Sequence, residues 1–205
     1  MYILPTAYLA PVPYFYYLIN FQTIVDRHAH YHKQTYANRC QIATAHGVEN
    51  LVIPVEHTDH TPLCNVLISS HHDWQTQHWR ALEAAYNASP FFDYYKDELL
   101  PFYQRPAHRL IDFTLALQNK ILELLDFDAN YTLSETYEKN YTNGEIDLRS
   151  VFNAPKNIVT LPPTFTPKRY YQVFEQKLGF IANLSIIDLL FNMGNEARIV
   201  LLDKS

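Results

Sequence analysis

The residues from Arg27 to Arg39, Arg-His-Ala-His-Tyr-His-Lys-Gln-Thr-Tyr-Ala-Asn-Arg, carry six basic or potentially basic side chains and no acid. In an extended chain successive side chains face opposite ways. His28, His30, His32, Gln34, Tyr36 and Asn38 would then share one side, and Arg27, Lys33, Thr35 and Arg39 the other. Neither side is apolar enough for a buried sheet face, which leaves a solvated edge or the polar lining of a site. Imidazoles at alternate positions could meet one zinc ion, but no HExxH pair and no paired cysteines complete a ligand set. Lys33 and Arg39 suit a phosphate or carboxylate. At roughly 3.3 Å per extended residue they stand about 20 Å apart, so they converge only if the chain bends near Gln34-Thr35.

His78 and Trp79 place a titratable imidazole beside an indole, a pair that can move a proton and stack on a sugar or a base. The spacing of His78 from Trp74 and Leu82 equally fits a histidine packed on the apolar stripe of a helix. Asp188, within an apolar run near the C-terminus, is either the solvent face of a helix or a buried carboxylate.

These residues need a scaffold, and 205 residues with 48% hydrophobic and 18% charged side chains suit one large domain over 1–205. No linker or composition break divides it. A formal charge of −5 argues against a general nucleic-acid binder, which needs a basic surface. Cys40 and Cys64 form no CxxC pattern and read as reduced thiols of a cytoplasmic protein, small buried side chains before nucleophiles. The first 21 residues lack charge, but Pro5, Pro11, Pro13 and four tyrosines between Tyr8 and Tyr17 disfavour a membrane span or signal peptide.

In chain order, Tyr2-Ile3-Leu4 reads as a strand, Pro11 to Phe21 as a helix, and Phe21 to Asp26 as a second strand that delivers the chain into the basic stretch. A hairpin is expected within 39–55, with Gly47 between two β-rich runs, and a further strand at Val66-Leu67-Ile68. Asp73 caps a helix through Tyr86, Ser89-Pro90 opens another that Pro101 closes, and Ala107 to Leu125 is the clearest amphipathic helix, with Asp112, Gln118 and Asn119 away from its apolar stripe. From Asp126 to Pro167 the periodicity fails, as in a functional loop, with one helical turn at Glu145 to Arg149, and Tyr170 to Phe174 follows as an apolar, aromatic run. Asn183 and Asn195 are expected to cap a C-terminal helix pair. The result is an α+β fold: a mixed N-terminal β-sheet with the hairpin, covered by helices from residue 73 onward. Nucleotide and cofactor fingerprints are absent, and no cofactor or metal is expected.

The run Lys33 to Arg39 is joined in order by Leu4-Pro5-Thr6-Ala7-Tyr8, His78-Trp79, Ala85-Tyr86, Ser89-Pro90-Phe91-Phe92 and Asn183 to Gly194. As a set this resembles the WbqC-like protein family of bacteria across nearly the whole chain. The resemblance implies a cytoplasmic protein linked to surface polysaccharide such as O-antigen. It would be a transferase acting on a sugar nucleotide or amino sugar, with acyl or aminoacyl transfer as the reaction. Set against that family's pattern, Ala29 stands for Glu, His30 for Asn and Ala37 for Arg, which removes an acidic partner for His28 or Lys33.

On this reading Lys33 and Arg39 bind the phosphate or carboxylate, Gln34, Tyr36 and Asn38 orient hydroxyls or amides, Trp79 stacks on the ligand, and His28 or His78 is the general base. The partner is a small molecule or nucleotide-sugar, with no nucleic acid and no membrane span. A non-catalytic binding or adaptor protein of the same pathway, using the aromatic stretch from Tyr131 to Phe174, is the alternative. A metallohydrolase built on His28, His30 and His32 is the third.

Overall fold

Two short buried strands begin the architecture. In the computed structural model, which describes residues 1–56, 61–128, 130–141, 144–153, 165–166 and 168–202, β1 (Tyr2–Pro5) lies parallel to β2 (Thr23–Asp26), with Ile3 opposite Ile24 and Pro5 opposite Asp26. The helix α1 (Val12–Asn20) joins them, with proline in its first turn and Val12 to Leu18 all buried, as an almost wholly apolar helix requires. The end of α1 is tied to the C-terminus through Asn20 Nδ2, which donates to the Leu201 carbonyl at 2.7 Å.

The hairpin forms as β3 (Arg39–Thr44) and β4 (Gly47–Val52), with Gly47 at φ 119 in a region open to glycine. It is a separate two-stranded sheet, as are β5 (Val55–Glu56) and β6 (Leu67–Ile68). The central sheet instead recruits β7 (Tyr131–Leu133) beside β2 and β8 (Ile146–Asp147) beside β1. Its order is β7-β2-β1-β8, and every pairing is parallel. The helical turn expected at Glu145 to Arg149 is therefore strand. Ile146 N donates to Met1 O and Leu148 N to Ile3 O, so the open edge of β1 sets the conformation.

The helices cover this frame. Asp73 caps α2 (Trp74–Tyr86), its carboxylate accepting from Thr76 N. α3 (Phe92–Gln104) starts later than Ser89, whose hydroxyl donates to Tyr86 O instead of capping, and it runs through Pro101. The stop comes at Arg105, held extended at φ −94 and ψ 143 because Pro106 follows it. α4 (Leu110–Leu124) buries Leu110, Phe113, Leu117 and Ile121 of the expected stripe, half-buries Leu124, and also buries Gln118, which lies against the core instead of away from it.

After α5 (Glu175–Leu178), Ser185 rather than Asn183 caps α6 (Ile186–Met193), accepting from Ile187 N. A 3-10 turn at Gly194–Glu196 then enters α7 (Ala197–Leu201), so Asn195 caps nothing. Gly194 sits at φ 52 with the Phe91 ring packed on it, and a Cβ there would lie 2.6 Å from that ring. Part of the 126–174 stretch, including Lys156 and Pro162-Pro163, falls outside the described residues. Among the described residues no helix is long and apolar enough to cross a membrane.

Asp188 and His78 are two of the titratable groups buried in this frame. Asp188 is fully buried and accepts from Tyr86 Oη (2.9 Å), Tyr170 Oη (2.8 Å) and Gln172 Nε2 (3.1 Å). Burial outweighs these donors and raises its pKa from 3.8 to about 6. His78, 5% exposed, shares Nδ1 with Tyr8 Oη at 2.9 Å and packs edge-on to Trp74. Burial lowers its pKa from 6.5 to about 4, leaving the imidazole neutral at pH 7.

The two shifts have opposite linkage. Asp188 supports the fold below pH 3.8 and loses that contribution as pH rises through 6. His78 supports it above pH 6.5 and loses that as pH falls through 4. Each swing is worth about 3 kcal/mol. Urea unfolding at pH 4, 5.5 and 7 therefore should show the wild-type stability relative to Asp188→Asn falling as pH rises, and relative to His78→Gln rising. Parallel pH profiles for the three proteins would refute this.

Candidate functional site

Asp26 is the last residue of β2 and is fully buried. Its Oδ1 accepts from His28 N (2.8 Å), Ala29 N (3.1 Å) and Ser134 Oγ (3.0 Å). Its Oδ2 accepts from Arg149 Nη1 at 2.7 Å. The turn that takes the chain off the sheet is thus made by the carboxylate itself. Its main-chain carbonyl accepts from Thr6 N (3.3 Å) and Thr6 Oγ1 (2.9 Å), which ties the end of β1 to the same residue.

Arg149 follows β8 and has every N–H engaged. Nε donates to the Asp147 carboxylate, Nη1 to Asp26 Oδ2 and Glu138 O, and Nη2 to Lys139 O and Asp147 Oδ2. The guanidinium also lies over the Tyr141 ring, 4.9 Å from its centroid. Burial opposes the charge on Arg149, but Asp147 and Asp26 outweigh it and hold the pKa above the ordinary arginine range. Asp26 and Arg149 together fasten the loops that leave all four parallel strands.

Above this pair lies a cavity of about 190 Å³. Thr6 comes to it from the end of β1, Ala29, His30, His32, Thr35 and Ala37 from the loop after β2, Tyr137 from beyond β7, and Arg149, Ser150, Phe152 and Asn153 from beyond β8. The carboxyl ends of parallel strands are where α/β sheets bind ligands, because the loops there diverge and leave a crevice.

The basic stretch is not extended, which corrects the two-face assignment. Residues 27–31 are laced to 61–64: Tyr31 N donates to Thr61 O, Leu63 N to Ala29 O and Cys64 N to Arg27 O. The chain then turns at Gln34, at φ 63, and Thr35 Oγ1 donates to His32 O. The bend near Gln34-Thr35 is present, and the three histidines do not share one face with Tyr36 and Asn38.

Of the predicted site residues, Lys33 and Gln34 are exposed on this turn, beside the cavity-lining His32. Tyr36 is buried, its main chain bonded to Asn153 O and Tyr8 N, and its hydroxyl has no hydrogen bond among the described residues. Asn38 is also buried and clasps Ile53, Nδ2 donating to Ile53 O at 2.7 Å while its own carbonyl accepts from Ile53 N. Arg39 starts β3 half-buried.

His28 receives the Arg27 Nε–H on Nε2 at 3.3 Å, which places its proton on Nδ1, 3.7 Å from Cys64 Sγ. His78 stands in the Tyr8, Trp74 and Tyr103 cluster, and Trp79 borders a separate groove between α2 and α3 with Glu83 and Lys96. Neither lines the sheet-edge cavity. Among the described residues no group of three or more His, Cys, Asp or Glu is placed to hold a metal.

Sequence reasoning did not single out Asp26, Ser134, Tyr137 or Arg149. The one available signal was an acid closing an apolar β-rich run just where the chain turns polar.

The comparisons with known proteins agree with the resemblance read from the sequence. A family model described as "WbqC-like protein family" matches residues 7–161. A protein of Mycobacterium tuberculosis (strain ATCC 25618 / H37Rv) named "Uncharacterized protein Rv1507c" is 28% identical over 189 residues, covering 82% of this chain and 81% of its own. No solved structure matches.

Removing Arg149 leaves the fully buried Asp26 without its cationic partner, and removing Asp26 leaves Ser134 Oγ, the His28 and Ala29 N–H groups and one Arg149 N–H without their acceptor. Asp26→Ala and Arg149→Met should each cost about 3–5 kcal/mol in urea unfolding, and the double variant less than their sum by about 1 kcal/mol or more. Additive losses would show that the two residues act independently.

Proposed function

The chain belongs to the WbqC-like protein family, and from the cavity at its sheet edge we propose a cytoplasmic transferase of surface-polysaccharide biosynthesis that acts on a sugar nucleotide or amino sugar. The observation that carries this reading is the convergence of polar side chains at the carboxyl ends of all four parallel strands. Thr6, His30, His32, Thr35, Ser150 and Asn153 line a cavity small enough for a single sugar or comparable group. Hydroxyl, amide and imidazole groups satisfy a hydroxylated ligand better than an apolar one.

In this reading Lys33, exposed and next in sequence to the cavity-lining His32, meets the phosphates of such a donor outside the cavity. The general base is assigned to His32, because both ring nitrogens of His28 are engaged and His78 is enclosed in the core. The transferred group is an acyl or aminoacyl unit in this proposal. A second reading, a non-catalytic binding protein, draws support from the exposed rings of Tyr137 and Tyr171 in the aromatic stretch.

A thermal-shift screen of nucleotide-linked hexoses and amino sugars tests the proposal. At a hundredfold excess over Kd a true ligand should raise the melting temperature by about 5–10 °C. Lys33→Ala should weaken a nucleotide-linked hit about tenfold while leaving the unliganded melting temperature in place. His32→Ala should abolish turnover and retain binding. No hit across the panel overturns the proposal, and binding without turnover under every donor combination favours the second reading.

A further inference from the structure

We infer that the sheet-edge cavity selects a sugar ring that carries no anionic group and that Tyr137 is the platform on which that ring stacks; the inference deepens the sugar-binding reading above and rests on it.

The first half of the argument is charge. Among the described residues Arg149 is the only lysine or arginine lining the cavity, and its N–H groups are all committed to Asp26, Asp147, Glu138 O and Lys139 O. It offers no donor to a ligand anion. Two carboxylates, Asp26 and Asp147, pair with this single guanidinium, so the group beneath the cavity carries one net negative charge, −2 + 1. A carboxylate or phosphate entering here would lose its hydration with no uncommitted lysine or arginine among the described lining residues to meet it, and would face that field. An uncharged polyol meets neither cost. The phosphates of a nucleotide-linked donor therefore belong outside, on the Lys33 side.

The second half is shape. Tyr137 lines the cavity yet is 46% exposed, and its ring lies 5.2 Å from that of His30, tilted by 40°. A half-exposed aromatic beside a polar cavity fits the C–H face of a pyranose, which is apolar while the ring's edge carries hydroxyls. The position is built. Arg149 holds the carbonyls of Glu138 and Lys139, the two residues after Tyr137, and the main chain of His30 bridges to Pro62. One cation thus supports the cavity from below and sets the ring at its mouth.

The experiment uses the full chain, as wild type, Tyr137→Ala and Tyr137→Phe, with methyl glucoside, methyl galactoside and methyl glucuronide at millimolar concentration and pH 8. Saturation-transfer NMR should show the neutral glycosides receiving magnetisation from aromatic protons, with their ring protons shifted upfield. Tyr137→Ala should remove the upfield shift and weaken binding about tenfold, while Tyr137→Phe stays within about twofold. The glucuronide should bind about tenfold more weakly than the neutral glycosides.

Undiminished binding to Tyr137→Ala, or a glucuronide that binds as well as the glucoside, overturns the inference. If sugar nucleotides stabilise the protein but no neutral glycoside binds, this inference falls and the proposed function stands. If neither binds, both fall. Because the Tyr137 side chain is half-exposed, the melting temperature of Tyr137→Ala should stay close to that of the wild type.

Discussion

The ion pair between Asp26 and Arg149 is the constraint on which the functional end of the molecule depends. A carboxylate with no solvent exposure is tolerated only when its charge and lone pairs are met, and here one arginine, one serine and two main-chain N–H groups meet them. The partners come from residues 28, 29, 134 and 149, so satisfying one side chain fixes the exits of β2, β7 and β8 together. A site built from loops would otherwise be soft. This one is held by a group that cannot be left unpaired.

A second buried carboxylate does comparable work at the opposite end of the chain. Asp188 takes hydrogen bonds from Tyr86 on α2 and from Tyr170 and Gln172 ahead of α5. The Tyr86 hydroxyl in turn accepts from Ala43 N on β3. α6, the hairpin and α2 therefore share one polar contact inside a largely aromatic and aliphatic core. Among the described residues no arginine or lysine pairs with Asp188; hydroxyl and amide donors meet the charge, and its pKa rises where that of a salt-bridged acid would fall.

How much of this was legible in the sequence follows from the range of the interactions. The opening strand, helix and second strand, the hairpin and the Asp73 cap were readable because each is specified by residues within a few positions of one another. β8 was not. Two residues, Ile146 and Asp147, become strand only because β1 offers them an edge from more than 140 positions away. A separation of 123 positions likewise hid Arg149, which reads as a surface arginine until the fold carries it to Asp26. The histidines of the basic stretch drew attention by number. Their geometry was decided by the Asp26 turn and by pairing with 61–64, neither of which leaves a local pattern. Gln118 misled for a related reason, since an amide placed off an apolar stripe is buried here by packing that periodicity does not encode.

The central sheet also carries a kinetic consequence. β1 and β2 are joined by a local helix, but their outer neighbours arrive only after about 100 further residues have been threaded through the hairpin and three helices. Parallel pairings across such separations close large loops before they are rewarded, so they belong to the slow end of folding. During synthesis the strand–helix–strand start and the α2 to α4 layer can assemble while the edges of β1 and β2 still wait for partners. Asp26 spends that interval without its arginine. The fastening of the recognition end thus waits on residue 149, and the core closes later still, when α6 and α7 bring their buried side chains and Asp188 to α1 and α2.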